Sequence, residues 1–482
     1  MQKANNKSKA LANIGLRSFL TVVILLTAVL FLSGALSYFI PQGQFMEVEN
    51  EEGNMEIVPG TYVKGEVKGI AIWRIITAPV RVYASDDGLN IIMISLFLLV
   101  MSGVFNLIDK TNGIKVFIGR IMRKLRDKDG PVVCITALIF MLFGSFFGMF
   151  EELVTLLPLV IMFMLSMNMD TMTGLGACML AACFGFSAAI TNPFSVGLAA
   201  PIGNVGISTG IWLRIVFFGI VYAILCTFLM LHLKKIEKTP SLSPTYESDL
   251  ARREEVSSFG KTPINNSDKI FRVYATFFAI QGVVLILIAS VRAISNLAIP
   301  ILAASFLIFG VIAGLTVSER KREVAIHIFK GAVSMIPAVI MIAIASSVKL
   351  VMDESGILHT IMNAIINMLD GKNPLLAILF IYLLILLMQF FIGSSSAKIF
   401  LVMPIIMPIT ASLGISPTLV ILAYCMADGF TDVILPTNPV LLVGLSMANV
   451  SYTKWVKWTW KLQLILFLTT IAILFFGVAI NY

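Results

Sequence analysis

Apolar and polar residues alternate along this chain in long blocks. Apolar runs of about 18 to 25 residues, the length a helix needs to cross a bilayer, follow one another with short charged stretches between them. Lipid offers no partner to a backbone amide, so each run is read as a helix. The first spans are Ser18 to Ile40 and Leu89 to Ile108. Two runs, Pro131 to Phe147 and Leu153 to Met167, are separated only by Gly148-Met149-Phe150-Glu151-Glu152. Another two, Pro374 to Phe391 and Ile399 to Leu413, flank the patch Gly393-Ser394-Ser395-Ser396-Ala397-Lys398. Each pair predicts either two full spans or a re-entrant hairpin, and both return the chain to the side it left. The spans that follow, Thr173 to Ala200 and Pro417 to Ser446, are interrupted by Thr191-Asn192-Pro193 and Pro436-Thr437-Asn438-Pro439. Proline removes a helix hydrogen bond, and at membrane depth the freed groups are tolerated only in protein or beside a cavity.

These interruptions are related. Moving back 246 residues without a gap sets Pro158 on Pro404 and Thr191-Asn192-Pro193 on Thr437-Asn438-Pro439. An internal repeat of this kind, with corresponding Gly/Pro-interrupted apolar segments, points to a transporter with its binding site at the interruptions. The predicted organisation is an N-terminal span and external loop (1–88), repeat 1 (89–233, tip 148–152, break 191–193), a cytoplasmic linker with connecting spans (234–329) and repeat 2 (330–482, tip 393–398, break 436–439).

Charge orients the spans. The N-terminal residues Lys3, Lys7, Lys9 and Arg17, the stretch from Lys110 to Lys128, Lys234-Lys235, Arg320-Lys321-Arg322 and Lys454 with Lys457 mark cytoplasmic segments. The loop from Pro41 to Asn90 carries eight acids against four basic residues and belongs outside. Ile114 to Leu125 has the spacing of an amphipathic surface helix. Nine crossings and two hairpins satisfy this pattern, with the N-terminus cytoplasmic, the C-terminus outside and the halves inverted. The chain is 58% hydrophobic and 13% charged, with a mean hydropathy of +0.94, which makes it a multi-pass membrane protein. Its formal charge of +8 lies beside the spans, so it implies a bilayer and no nucleic acid. Five cysteines within apolar runs read as buried small hydrophobes. The histidines lack metal-ligand spacing, and no P-loop or Ser/His/Asp set supports catalysis, so neither an enzyme nor a cofactor is expected.

The candidate site residues are the polar ones at the interruptions. Asn192 and Asn438, with Thr191 and Thr437, offer oxygens to sodium, and either sodium or a proton is the candidate coupling ion. Ser394, Ser395 and Ser396 offer hydroxyls and a helix start to a carboxylate. Glu151, Glu152, Lys398, Asp428 and Asp432 are ionisable groups at membrane depth, where each needs a partner or a wet cavity. The 246-residue offset sets Glu152 on Lys398, an anion against a cation. That opposition suits an amino acid or small peptide, with its carboxylate near Lys398 and its cationic group near Glu151 and Glu152. The four acids against one lysine favour a basic amino acid or a co-bound cation over a dianion.

The Glu-Glu run from Gly148 to Pro158, the Gly-Ser-Ser-Ser-Ala-Lys tip and Asp428-Gly429-Phe430-Thr431-Asp432 before Pro436-Thr437-Asn438 resemble the YfcC-like carriers, relatives of the DcuC-type C4-dicarboxylate carriers in the ion transporter superfamily. The resemblance runs from span one to the end of the chain. It implies an all-α, inverted-repeat, elevator-type secondary transporter, a homodimer in a bacterial inner membrane. Its substrates would be basic amino acids, with arginine/ornithine exchange, or C4-dicarboxylates. The tips lack the Ser-Asn-Thr pattern of the divalent-anion symporters. An ion channel is the reading from another class.

Overall fold

The computed structural model describes residues 16–49, 55–58, 60–85, 88–117, 120, 129–154, 156–192, 194–257, 266–290, 297–369 and 373–482. The N-terminal lysines, much of the amphipathic stretch 114–125, and Pro193 lie outside the described residues. In chain order the helices are α1 (Leu16–Leu36), α2 (Ile72–Arg81), α3 (Gly88–Lys110), α4 (Asp129–Phe147), α5 (Glu151–Val154) and α6 (Leu157–Ser166). Next come α7 (Thr171–Ser187), α8 (Val196–Ile202), α9 (Ile211–Lys238), α10 (Tyr246–Ser257), α11 (Ser267–Ser290), α12 (Ala298–Val317), α13 (Lys321–Ser334) and α14 (Ile336–Glu354). The last six are α15 (Ile357–Leu369), α16 (Pro374–Phe391), α17 (Ser395–Ser412), α18 (Pro417–Phe430), α19 (Pro439–Ala448) and α20 (Tyr452–Ala479).

Among the described residues six helices, α3, α4, α9, α12, α16 and α20, are long and apolar enough to cross a bilayer, and α13 with α14 would make a seventh. The sequence predicts one span from Lys330 to Met352, but the chain bends by 41° between α13 and α14. Pro337 explains the bend, because it cannot donate to a continuing helix yet fits the first turn of a new one.

The helices sort into two packed groups. In one, α3 lies against α12, α13 and α14, α1 and α2 against α14, and α11 against α12. Ser102 Oγ donates to the Gly331 carbonyl at 2.8 Å and Asn106 Nδ2 to that of His327 at 2.7 Å. A Cβ at Gly331 would collide with the Ser102 carbonyl, so α3 and α13 meet backbone to backbone, as small residues permit between membrane helices. In the other group α4 packs on α7 and α9, α16 on α18 and α20, and α7 on α18. Helix α14 touches both groups, reaching α16 and α19.

Segments that charge assigns to the same side meet one another. The loop after α1 forms two short antiparallel ribbons, β1 (Gly43–Gln44) with β4 (Val63–Lys64) and β2 (Glu47–Glu49) with β3 (Met55–Ile57). It docks on α15 through Phe45 N to His359 Nδ1 at 3.1 Å and Thr360 Oγ1 to the Pro41 carbonyl at 2.8 Å. Arg81 of α2 pairs with Glu354 at the end of α14. Helix α2 is invisible to a search for spans, being short and two-faced. On the other side Arg120 pairs with Asp268, and the linker meets the turn between α6 and α7 at Asp170.

Asp170 caps α7, accepting from Thr173 N at 2.8 Å, and also takes His232 Nε2 at 2.9 Å and Ser243 Oγ at 2.6 Å. Burial works against its charge, but the imidazole and hydroxyl donors outweigh that and hold the carboxyl down at about 2. A depressed carboxylate stabilises the fold above its unfolded value near 3.8 and loses that contribution as pH falls toward 2. About 2 kcal/mol should disappear across that window. Acid titration of the thermal midpoint of detergent-purified protein checks this, with Asp170→Asn flattening the profile.

Candidate functional site

Both predicted hairpin tips are breaks between helices. Helix α4 ends at Phe147, and Gly148 follows with φ +68°, a left-handed conformation that reverses the chain ahead of α5. Helix α16 ends at Phe391 and α17 starts at Ser395. The interrupted spans are broken too. Helix α18 ends at Phe430, a short turn covers Thr431–Val433, and α19 starts at Pro439. Helix α7, however, stops at Ser187, four residues before Thr191, and α8 starts at Val196. A proline at 193 by itself frees only the carbonyl four residues earlier. The longer break is held open by side chains from other helices.

Those side chains account for the freed carbonyls. At the first break Ser145 Oγ donates to the Ala188 carbonyl at 2.5 Å, Arg214 Nη1 to Ile190 at 2.7 Å and Ser395 Oγ to Phe194 at 3.3 Å. Arg214 is buried and also donates through Nη2 to the carbonyls of Thr209, at 2.9 Å, and Ile207. At the second break Trp455 Nε1 donates to the Val433 carbonyl and Tyr452 OH to that of Ile434, both at 2.6 Å. The unwound backbone thus has donors from α4, α9, α17 and α20, as buried backbone polar groups require.

The charged side chains are enclosed. Lys398 is fully buried and its ammonium lies 2.6 Å from Asp428 Oδ1, itself 1% exposed. Lys398 Nζ also donates to the Ile392 carbonyl at 3.3 Å, and stands 6.0 Å from the centre of the Tyr424 ring. Asp428 Oδ2 is buried and has no hydrogen-bond partner among the described residues. One turn on, Asp432 Oδ1 accepts from Asn438 Nδ2 at 2.8 Å and from Gln389 Nε2. Tyr424 OH donates to the Ser395 carbonyl at 2.7 Å, so the second tip, α18 and the first break form one polar seam. Within the seam two acids face one lysine.

Of the predicted residues, the structure brings Lys398 to Asp428, Asp432 to Asn438, and Ser395 to the break that holds Asn192. Asn192 is buried, with Oδ1 accepting from Phe194 N at 2.9 Å and Nδ2 without a partner among the described residues. Asn438 Oδ1 caps α19, accepting from Val440 N and Leu441 N. Thr191 Oγ1 donates to the Phe146 carbonyl at 3.2 Å, and Thr437 is half-buried beside Asn438. Sodium at Thr191, Asn192, Thr437 and Asn438 would therefore require both amide oxygens to change partners. Ser394 is exposed, its Oγ accepting from Ala397 N, and Glu151 is half-buried at the start of α5. The side chains of Glu152 and Ser396 lie outside the described residues. Sequence reasoning missed Ser145, Arg214, Gln389, Tyr424, Tyr452 and Trp455. A lone arginine and a lone glutamine inside apolar runs were the available signal.

The helices around the seam pack in a crossed pattern. First legs α4 and α16 lie on α7 and α18, while α8 packs on α17 and α19 on α6. The helices α17 and α6 that follow the two tips thus each cover the far half of the broken helix from the other part of the chain. Where α7 crosses α18, Cys183 Sγ lies 2.9 Å from the Gly429 carbonyl, and these residues are 246 apart. A Cβ at Gly429 would collide with Ser187, so only glycine allows this crossing.

Comparison with known proteins assigns the family. The family described as DcuC: C4-dicarboxylate anaerobic carrier matches residues 16–479. This chain belongs to the DcuC family. It is accordingly a multi-pass secondary transporter of a small molecule, and not an enzyme. The carrier is YfcC-like, being 27% identical over 378 residues to the Escherichia coli (strain K12) protein named "Putative basic amino acid antiporter YfcC", a match covering 76% of this chain and 73% of that protein. An "Uncharacterized protein" of Haemophilus influenzae is 25% identical over 403 residues, 83% of this chain and 77% of its own. Among solved structures the YdaH transporter of Alcanivorax borkumensis aligns over 96% of this chain and 98% of its own with 16% identity and a TM-score of 0.43. MtrF of Neisseria gonorrhoeae, of a class of antimetabolite efflux pumps, aligns over 95% of this chain and 94% of its own with 16% identity and a TM-score of 0.41.

Proposed function

We propose that this carrier moves a basic amino acid such as arginine or ornithine, by exchange or coupled to a proton or sodium. The observation that carries the reading is the enclosed Lys398–Asp428 pair with Asp432 one turn away. An amino acid that enters between the two charges can give its carboxylate to Lys398 and its α-ammonium to Asp428. Each protein charge then exchanges one partner for another, so neither is left desolvated and alone. A cationic side chain meets the surplus acid of the seam and the glutamates of the first tip. A dianion could take Lys398 only by standing against Asp428. The name of the Escherichia coli relative agrees with a basic amino acid. The second reading, a C4-dicarboxylate, is favoured by the description of the family itself.

We further propose that residues 89–233 and 330–482 are inverted repeats, that the hairpins and broken helices move as an elevator, and that the protein works as a homodimer in a bacterial inner membrane with its linker inside. Support for the repeat comes from the crossed packing of the return legs and from the meeting of Cys183 with Gly429. Counterflow into proteoliposomes tests the substrate. Labelled arginine should accumulate in vesicles loaded with arginine or ornithine and not in vesicles loaded with succinate. Accumulation of labelled succinate with arginine ignored reverses the reading, and electrical current far above carrier turnover would make the protein a channel.

A further inference from the structure

A tether between two halves needs only length, but the linker here is docked. Its helix α10 packs on α6. Asp249 of α10 accepts from Thr171 N at 2.9 Å, from Thr171 Oγ1 at 2.5 Å and from Thr245 Oγ1 at 2.7 Å. Asp249, Thr245, Ser243 and Asp170 are all buried. The start of α7 is therefore capped twice, by its own Asp170 and by Asp249 from the linker. Two buried carboxylates at one helix start are stable only with this many donors, including the helix N–H groups themselves. The same linker reaches the other broken helix. Arg252 donates to the carbonyl of Ala448, the last residue of α19, at 2.9 Å, and to Thr171 Oγ1 at 3.4 Å. Arg253 donates to the Met169 carbonyl at 2.9 Å, and Lys454 of α20 to that of Pro244 at 2.9 Å. Behind Asp170, His232 receives Trp458 Nε1 on Nδ1 at 3.1 Å, which ties α9 and α20 to the same cluster.

We propose that α10 is a strap joining the start of one broken helix, α7, to the end of the other, α19, so that the two move as a single unit. The proposal rests on the transport reading above, since a strap matters only to a protein that changes shape as it works. Asp249 and Arg252 are positioning residues on this account, acting on the seam through α7 and α19. While the strap stays docked, a displacement of either broken helix carries the other, and the seam between them keeps its shape through the cycle.

A reversible crosslink tests this directly. The double variant Thr171→Cys/Asp249→Cys removes the strap's main hydrogen bonds when reduced and replaces them with a covalent bond when oxidised. Arginine counterflow should fall at least about tenfold in the reduced form and return to near the parental rate on oxidation, with the parent and its five native cysteines carried through the same oxidant. Equal rates for reduced variant and parent would overturn the proposal, and so would loss of transport on oxidation, which would mean that the strap must undock. Hydrogen exchange on purified Asp249→Ala and Arg252→Gln supplies a readout that needs no substrate. Exchange should rise together in 169–175 and 445–452 in both variants, and a rise confined to the segment nearest the mutation would overturn the strap. If the parent carries labelled succinate and not arginine, the substrate reading fails, and the crosslink arm read by succinate counterflow and the exchange arm still decide the strap.

Discussion

Lys398→Met is expected to be among the most damaging single changes in this carrier, lowering stability by about 3–5 kcal/mol. The lysine is fully buried and holds Asp428 at 2.6 Å. Asp428 Oδ2 already has no partner among the described residues, so loss of the ammonium leaves a buried carboxylate without its cation. Asp428→Asn should be nearly as harmful, because it strands the ammonium. The double variant Lys398→Met/Asp428→Asn should recover most of the lost stability, since removing both charges also removes their desolvation cost. Thermal melting of the four proteins in detergent, analysed as a double-mutant cycle, gives the coupling. If the pair also receives the substrate, the double variant will melt like the parent and transport nothing. Additive losses in the cycle would mean that the two side chains do not depend on each other.

The second large effect is expected at Arg214. Its guanidinium, buried in α9, donates to the carbonyls of Ile190, Ile207 and Thr209. Hydrogen bonds from a charged donor are worth about 1.5–3 kcal/mol each, and the carbonyl of Ile190 belongs to backbone that no helix can satisfy. Arg214→Met should cost about 3 kcal/mol or more and let the first break close or fray. Arg214→Lys keeps the charge but not the fork that serves three carbonyls at once, and should recover only part of the loss. Melting temperature reports the stability, and hydrogen exchange in 188–195 reports the break. Unchanged exchange there in Arg214→Met would mean that the arginine braces only the loop at 207–209.

How far the site was legible depends on the kind of partner each residue uses. Asp428, Asp432, Asn438 and Lys398 were visible because ionisable groups and Asn-Pro do not belong in an apolar run without a reason. Their pairing was not visible. The 246-residue offset opposes Glu152 to Lys398, whereas the chain folds Lys398 onto Asp428 30 residues away. Asn192 and Asn438 were singled out for free oxygens, yet both oxygens accept backbone N–H groups beside their own positions. Asn438 caps α19 and Asn192 closes a turn on the amide two residues on, both of them local bonds that Asn side chains form readily.

Sequence alone determined that the protein is helical and membrane-embedded, and that its apolar segments are interrupted near the two tips and near the Asn-Pro sequences. Those properties follow from local rules: lipid forbids unpaired backbone, proline stops a helix, and charge stays in water. Only the tertiary structure decided where α7 stops, because Ser145, Arg214 and Ser395 come from three other helices to hold the break open. The same holds for the docking of a linker whose composition reads as a tether, since Asp249 and Thr171 lie 78 residues apart. Such partners are set by packing between distant segments, and hydropathy carries no record of them.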